Sequence, residues 1–256
     1  MNNSEVAILI LAGDSKKYQD FIDIIKNSWY KNAINFGFKI YFYSGGHDND
    51  YIYNNIEIRV KEDDAISNCY KKFIAAKNVL KENFPDVKLI YRTNVTSYID
   101  IDNFNKYLIK GNFSKNSIHG IKGKVYKYSE LFYGNKLLHL FFKYLRIGPK
   151  IDFYSGAGLF IGMDLCDSLS YIHTKKYMID DVEIGYQIKS FLIHDLTYER
   201  IYVTDNFKKI KKEDFLIMVN EGLLFHYKFK TSDRLYDSNL LKNFNDLQFR
   251  SSYLTY

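Results

Sequence analysis

The chain has 256 residues with 46% apolar content and a net charge of +6, from 36 basic and 30 acidic side chains. This composition allows a packed core and excludes a disordered chain, and the spread of basic residues along the sequence argues against a nucleic-acid partner. No apolar run is long enough for a membrane span, and the N-terminus lacks the features of a signal peptide. We therefore expect a soluble, cytoplasmic protein.

The first part of the chain alternates between strand and helix patterns. An apolar run ends at the turn residues Gly13, Asp14 and Ser15, which is typical of a strand followed by a helix. The predicted strands are residues 6–12, 38–43 and 56–60. The predicted helices are residues 18–35 and 65–83, the second one capped by the acidic residues 62–64. This alternation predicts an α/β fold whose mixed, mainly parallel central sheet has helices on both faces.

A central stretch, Val87–Asp102, begins as an apolar strand and then changes to small polar residues. In an open α/β sheet, ligands bind in the crevice outside the carboxyl ends of the strands. We therefore expect Asn94 and Ser97 to contact a ligand there. Arg92 lies within the strand, where a guanidinium group requires a carboxylate or phosphate partner.

The second half of the chain includes a segment rich in leucine and phenylalanine, residues 131–145, which predicts either a helix or a lid-like insertion. The run 151–161 contains Tyr154-Ser155-Gly156-Ala157-Gly158, where two glycines indicate a bulge or a close backbone approach to a ligand. The other predicted elements are helices at 104–109, 163–171 and 182–191, strands at 118–126, 200–204 and 223–229, and a helical C-terminal cover at 231–256. No linker interrupts the chain, so we expect one domain spanning residues 1–256.

Taken in order, several short motifs resemble those of the β-1,3-galactosyltransferase and Fringe-like family of glycosyltransferases. Arg92-Thr93 stands where the family has a basic residue followed by threonine, and Tyr154–Gly158 matches its glycine segment. Asp180-Asp181-Val182 with Gly185 matches E-D-V-x-x-G, and His226 falls at the place of the C-terminal histidine. The resemblance extends from about residue 5 to residue 230, and the order and spacing of the motifs carry it.

The resemblance implies a single GT-A-like (Rossmann-like) domain that transfers a sugar from a nucleotide-sugar donor, a UDP-sugar, to a hydroxyl group of a glycan or other acceptor, with inversion. Asp181 matches the catalytic aspartate and would be the general base, and Asp180 beside it would contact the acceptor. Two alternatives stay open. The two aspartates would simply cap a helix, or the domain would be a catalytically inactive scaffold that binds a sugar or nucleotide.

The sequence departs from the family at its acidic triplet, which is replaced by Asn94-Val95-Thr96. These residues offer no carboxylate to Mn²⁺ or Mg²⁺, which require hard oxygen ligands. Asp100 and Asp102 form a D-x-D pattern that could supply a metal site, but both are also explained as the cap and first-turn acid of the next helix. We favour a metal-independent enzyme whose cations hold the diphosphate; these cations are Lys228, Lys230 and Arg234.

Further candidates for contact with the donor come from three places in the chain. His226 shares one strand face with Lys228 and Lys230, because side chains alternate along a strand, and would donate to phosphate. Gly13 and Asp14 lie where enzymes of this fold hold the nucleoside, and a helix residue, Lys72, could reach the donor. The donor-binding set is completed by the glycine segment, residues Gly156, Ala157 and Gly158.

Overall fold

The computed structural model describes residues 1–13, 16–131, 135–169, 180–190, 203–204, 225–229 and 233–244. The strands are β1 (Val6–Leu11), β2 (Lys39–Ser44), β3 (Tyr51–Tyr53), β4 (Glu57–Arg59), β5 (Leu89–Asn94), β6 (Ser97–Ile99), β7 (Ile118–Tyr126), β8 (Lys150–Gly162), β9 (Val203–Thr204) and β10 (His226–Lys228). The helices are α1 (Lys16–Lys26), α2 (Trp29–Asn35), α3 (Cys69–Asn83), α4 (Ile101–Lys110), α5 (Lys127–Leu131), α6 (Lys136–Leu145), α7 (Met163–Ser168), α8 (Asp180–Ser190) and α9 (Arg234–Phe244).

The central sheet, as far as the chain is described, has seven strands in the order β3-β4-β2-β1-β5-β8-β7. Strands β1, β2, β4 and β5 are parallel neighbours, and β7 runs in the same direction because two antiparallel pairings separate it from β5. Only β3 and β8 run the opposite way. The prediction of a mixed, mainly parallel sheet is therefore confirmed.

Helices cover both faces of this sheet, as the alternation of side chains along β1 requires. Ile8 and Ile10 belong to a core with residues of α1, α2, α4 and α9. Ala7 and Leu9 point the other way, into a core with residues of α3, α7 and α8. A strand whose side chains are apolar on both faces must be buried from both sides, so the run Val6–Leu11 determines the three-layer architecture.

A smaller sheet stands beside the end of β5. Its strands are ordered β6-β10-β9, and β10 pairs antiparallel with β6, so that Lys228 lies opposite Ser97. The backbone of Phe229 also donates to the carbonyl of Thr96 at 2.9 Å. This pairing brings a segment from late in the chain to the turn that follows β5.

Two helix predictions are wrong in their boundaries. The predicted helix 18–35 is two helices, α1 and α2, because Asn27 Nδ2 and Ser28 Oγ donate back to the carbonyls of Asp23 and Ile25 and compete with helix continuation. The predicted acidic cap of helix 65–83 is also absent, since α3 begins at Cys69 after a 3₁₀ turn. 

The other predicted elements lie close to their expected positions. Strands β7 and β8 and helix α7 agree within a few residues, and segment 131–145 contains α6, so it is helical. The predicted strands at 200–204 and 223–229 and the helical tail overlap β9, β10 and α9, while residues 245–256 lie outside the described part of the chain. Among the described helices, none is long and apolar enough to cross a membrane.

An aromatic cluster holds β5, β8 and α4 together. The ring of Phe104 lies 5.0 Å from that of Tyr91 and 5.3 Å from those of Phe38, Phe160 and Phe225, measured between centroids. All of these side chains are buried. Edge-to-face and offset ring pairs add to the stabilisation from area burial, so this cluster supports the strand that carries the polar residues of the sheet edge.

We expect Phe104→Ala to lower the free energy of unfolding by about 3–5 kcal/mol, because it opens a cavity at the centre of the cluster. Urea denaturation followed by circular dichroism measures this loss. Ile109→Ala is the matched control on the same helix, since Ile109 is 74% exposed and its truncation should change stability by less than about 0.5 kcal/mol. Equal losses in both variants would contradict the position of the core.

Candidate functional site

A cleft opens where β1 and β5 end side by side. Leu11 and Asn94 are register partners at the carboxyl ends of these strands, and the cleft between them and α3 has a volume of about 210 Å³. Its described lining combines apolar, polar and charged side chains. The lining residues are Leu11, Ala12, Gly13, Tyr18, Asp64, Ile66, Cys69, Lys72, Asn94, Val95, Thr96, Lys228 and Arg234.

Cationic side chains outnumber carboxylates in this lining. Lys72 is buried, and its Nζ lies 2.7 Å from Oδ1 of Asp64. Lys228 extends from β10, and Arg234, at the start of α9, donates to Oδ2 of Asp237 at 3.0 Å. Lys72 is paired with Asp64 and Arg234 with Asp237, so the three described cations exceed these two carboxylates by one charge. A net positive charge at the cleft suits an anionic ligand such as a diphosphate.

Asn94 and Ser97, both predicted to contact the nucleotide-sugar donor, have different positions in the turn after β5. Asn94 lines the cleft, and its Oδ1 accepts hydrogen bonds from the backbone and hydroxyl of Thr96, at 3.3 Å and 2.8 Å. Ser97 is fully buried and donates to the same oxygen at 3.4 Å. The amide of Asn94 therefore shapes the turn, and the expected contact of Ser97 with a donor has no support from its position.

The position of Gly13 in the cleft wall accounts for a glycine there. It lines the cleft next to the ring of Tyr18, and a Cβ atom at this position would come within 2.7 Å of that ring. Glycine thus allows Tyr18 to form part of the cleft wall. Asp14 and Lys230, also expected to contact the donor, lie outside the described residues.

Arg92 is buried in β5, and protein groups occupy each side of its guanidinium. Nη2 donates to Oδ2 of Asp180, Nη1 donates to the carbonyl of Gly156 at 2.8 Å, and Nε donates to the hydroxyl of Tyr43 at 3.3 Å. Burial opposes the charged form of Arg92, yet the Asp180 carboxylate raises its pKa above the usual value. The partner required by a guanidinium in a strand is therefore a carboxylate of the protein.

This pairing changes the roles expected for both residues. Asp180 is itself buried and bound to Arg92, so the predicted contacts of Arg92 with the donor and of Asp180 with the acceptor gain no support from the geometry. Instead, the pair fixes the first turn of α8 against the end of β5. Removing one partner of a buried ion pair strongly destabilises a protein, because the other charge is left uncompensated. Arg92 and Asp180 therefore have a positioning role.

Asp181 lies next to this pair, in the first turn of α8. Its Oδ2 accepts from the backbone of Gly156 at 3.0 Å, and its Oδ1 accepts from the backbone of Val182 at 2.9 Å. Burial and the nearby charge of Asp180 raise the pKa of Asp181 to about 6. A carboxylate with this pKa is ionised at neutral pH and is a stronger base than an ordinary aspartate. Its place in the first turn of α8 also agrees with the alternative in which the two aspartates cap the helix.

The register of the sheet places Asp181 toward the same edge as the cleft, although Asp181 is not among the described residues that line the cleft. Thr93 of β5 lies opposite Gly158 of antiparallel β8, so Gly156 continues past the carboxyl end of β5. Since Asp181 is bound to Gly156, it stands at the same edge of the sheet as the cleft.

The glycine segment makes room for side chains of the protein. A Cβ on Gly156 would collide with Nη1 of Arg92, and a Cβ on Gly158 would collide with the hydroxyl of Tyr91. The carbonyl of Ala157 accepts from the Thr93 hydroxyl at 2.9 Å. Of the two predicted alternatives, the bulge is confirmed, because the pairing of β8 with β7 shifts register between Gly120–Leu159 and Lys122–Tyr154. The described neighbours of the two glycines are side chains of the protein.

His226 does not line the described cleft. It is fully buried, and its Nδ1 forms a hydrogen bond with the hydroxyl of Tyr91. Burial, together with the positive charge of Lys228, lowers the pKa of His226 to about 3, so the ring is neutral. The expected hydrogen bond to phosphate therefore has no support, although Lys228, two residues on, does reach the cleft.

The alternative metal ligands have ordinary helical roles. Oδ1 of Asp100 accepts from the backbone of Asn103 at 3.2 Å as the N-cap of α4, and Asp102 lies in the first turn. Burial raises the pKa of Asp100. Within the described residues no three His, Cys, Asp or Glu side chains come together, and Asp64 is paired with Lys72. An Mg²⁺ or Mn²⁺ site uses several oxygen ligands, and the described lining offers one carboxylate that is already paired; the metal-independent site stays a prediction.

Sequence reasoning missed part of the cleft wall. Asp64, Ile66 and Cys69 line the cleft, yet the acidic run before α3 looked like a helix cap. A signal was available, because these residues follow β4, whose carboxyl end lies at the same edge as those of β1 and β5. Burial raises the pKa of Cys69 to about 11, so this residue contributes a neutral thiol to the wall.

Comparisons with known proteins support the fold. No family model matches the chain, and no curated protein matches it. A crystal structure of a glycosyltransferase involved in the glycosylation of the major capsid of PBCV-1 matches 92% of this chain and 98% of its own, with 10% sequence identity and a TM-score of 0.53. The mannosyltransferase Ktr4p from S. cerevisiae, in complex with GDP, matches 75% of this chain and 67% of its own, with 10% identity and a TM-score of 0.33. The first match shows that this mixed α/β fold is one that a glycosyltransferase adopts, whereas the second is too distant to carry an inference.

We expect Asp180→Asn to lower the free energy of unfolding by about 3–5 kcal/mol, because it leaves the buried charge of Arg92 without its partner. Asp152→Asn is the control, since its pairs with Lys122 and Lys124 are partly exposed and should contribute less than about 1 kcal/mol. Chemical denaturation at neutral pH measures both. A loss for Asp180→Asn no larger than that for the control would contradict the structural role of the ion pair.

A pH series tests the raised pKa of Asp181. The native state holds this proton up to about pH 6, whereas the unfolded chain loses it near the ordinary value, so the stability that Asp181 contributes at low pH is lost as the pH rises to about 6. Asp181→Asn should remove this dependence, and its stability relative to the wild type should rise by up to about 3 kcal/mol between pH 4 and 7. A constant difference across the series would contradict the shift.

Proposed function

We propose that the protein is a glycosyltransferase that moves a sugar from a nucleotide-sugar donor, a UDP-sugar, to a hydroxyl group of a glycan or other acceptor, with inversion. The observation that carries the proposal is the electropositive cleft at the carboxyl ends of β1 and β5. It occurs in a fold shared with a glycosyltransferase involved in the glycosylation of the major capsid of PBCV-1. In open α/β sheets this edge is the place where nucleotides bind.

The cleft offers different surroundings to the two halves of a nucleoside diphosphate. Leu11, Tyr18 and Val95 provide apolar and aromatic surface for a base. Lys228 and Arg234 provide cationic groups for the diphosphate, as guanidinium and ammonium groups do at phosphate sites. The ligand class that matches both parts of the cleft is a nucleoside diphosphate.

The chemistry follows from the charges that develop during transfer. The acceptor oxygen attacks the anomeric carbon and forms the new C–O bond while the bond between that carbon and the diphosphate oxygen breaks. The acceptor loses its proton to a base, for which Asp181 is our candidate because it is ionised at neutral pH and lies toward the same edge of the sheet as the cleft. Lys228 and Arg234 stabilise the negative charge on the departing diphosphate. Attack opposite the leaving group inverts the anomeric carbon.

We further propose that these cations replace a divalent ion. The described cleft has one carboxylate, Asp64, and this group already pairs with Lys72 at 2.7 Å. Fixed ammonium and guanidinium groups can neutralise a diphosphate without a metal. Transfer should therefore continue in EDTA.

An inactive nucleotide-binding domain is the second candidate function. The observation in its favour is that both oxygens of Asp181 accept backbone hydrogen bonds, from Gly156 and Val182, which gives this carboxylate a structural use. Binding of nucleotide without turnover would support this candidate. The cleft at the edge of the sheet toward which Asp181 lies favours the enzyme.

We expect Asp181→Asn to reduce turnover by about 10²–10⁴-fold, the usual contribution of a general base, with the donor KM changed by less than about twofold. Release of UDP from UDP-sugars, in the presence of mono- and oligosaccharide acceptors and EDTA, measures both parameters. Turnover equal to that of the wild type would contradict the base assignment.

The cations are tested separately from the base. Lys228→Met should raise the donor KM about tenfold or more, because it removes a charge-assisted contact with phosphate. Lys124→Met is the control, since Lys124 lies on β7 with a side chain that is 64% exposed. Activity that requires added Mn²⁺ would contradict the metal-independent site while leaving the transferase proposal intact.

A further inference from the structure

Helix α6 presents an apolar stripe to solvent. Leu137, Leu140, Phe141 and Tyr144 are 81%, 50%, 53% and 87% exposed. Their spacing of three and four residues places them on one face of the helix. A soluble domain rarely exposes a contiguous apolar patch of this kind unless something binds there, and the proposed transfer reaction makes no use of it.

The opposite side of α6 holds the helix on the domain. His139 Nδ1 and the carbonyl of Ser129 form a hydrogen bond of 2.8 Å, and the ring of Phe142 lies 6.0 Å from that of Tyr128. Asn135 caps the start of the helix by accepting from the backbone of Leu138 at 3.3 Å. The helix is therefore fixed with its apolar stripe facing outward.

The charged residues of the segment that carries the stripe are all of one sign. Between Glu130 and Asp152 the sequence contains four Lys and Arg residues and no Asp or Glu. Lys136 and Lys143, which lie along one side of the stripe on the helix, are exposed. An apolar surface bordered by cations complements a surface that is apolar inside and anionic outside.

We propose that α6 is an interfacial anchor that docks the protein on a bilayer containing anionic phospholipid. A ten-residue helix is too short to span a bilayer but suits a position in the plane of the interface. Leu137, Phe141 and Tyr144 enter the boundary between headgroups and acyl chains, and Lys136 and Lys143 contact the lipid phosphates. The inference does not depend on the transferase proposal.

The connections of α6 show where the proposed anchor lies relative to the cleft. Helices α5 and α6 connect β7 to β8, whose ends pair Tyr126 with Lys150. This end of the hairpin extends past the carboxyl end of β5, where Thr93 pairs with Gly158. The anchor and the cleft therefore lie toward the same edge of the central sheet.

Flotation of the purified full-length chain with vesicles tests the anchor. Phosphatidylcholine vesicles that contain phosphatidylglycerol should bind the protein, vesicles of phosphatidylcholine alone should bind it weakly, and binding should fall as salt is added. The double variant Leu137→Glu/Tyr144→Glu should lower the partition coefficient about tenfold or more. Lys136→Gln/Lys143→Gln should weaken binding to the anionic vesicles selectively, by about tenfold or more.

The controls separate docking from misfolding and from self-association. Both replaced residues of the first variant are more than four-fifths exposed, so its thermal midpoint should match that of the wild type. Ile109→Glu, an apolar-to-acidic change at an exposed site on α4, should bind vesicles as the wild type does. Absence of binding to anionic vesicles at low salt, or equal loss in Ile109→Glu, would overturn the proposal. So would a wild-type dimer in light scattering that Leu137→Glu/Tyr144→Glu converts to a monomer, without vesicle binding.

Discussion

The buried charge of Arg92 is the constraint on which the sheet edge depends. A guanidinium group inside a strand needs hydrogen-bond partners from the protein, and here they come from three other elements: Asp180 of α8, the carbonyl of Gly156 in β8 and the hydroxyl of Tyr43 in β2. Residue 156 must be glycine, because a Cβ there would collide with the guanidinium. One side chain thus fixes how a late helix meets the end of the central strand.

The pairing of Arg92 with Asp180 also distinguishes charges with a structural role from those to which we assign a role in the proposed transfer. Asp180 neutralises Arg92 in the interior, and its charge together with burial raises the pKa of the neighbouring Asp181 to about 6. Lys228 and Arg234 are held at the cleft by β10 and α9. The protein therefore offers a carboxylate of raised basicity at one place and cations at another, which is the arrangement that proton removal and diphosphate departure require.

Sequence periodicity predicted the alternation of strands and helices and the edge of the sheet at which the cleft opens, because burial on both faces of β1 and the polar tip of β5 are local properties. Partner choice could not be predicted in the same way. Arg92 and Asp180 are 88 residues apart, and Asp64 pairs with Lys72 rather than capping α3. His226 matched a family position, yet it lies buried against Tyr91, since only the packed fold shows which polar side chains satisfy one another.

The most direct test of a metal-independent nucleotide cleft is the thermal midpoint of the protein with a panel of nucleoside diphosphates and nucleotide sugars, each in EDTA and in Mn²⁺. A ligand that binds only the folded state raises the midpoint by mass action. We expect UDP and UDP-sugars to raise it in EDTA, with a smaller rise when Arg234 is replaced by methionine. The absence of a shift with any nucleotide would contradict the cleft assignment, and a shift seen only with Mn²⁺ would contradict its metal-independence.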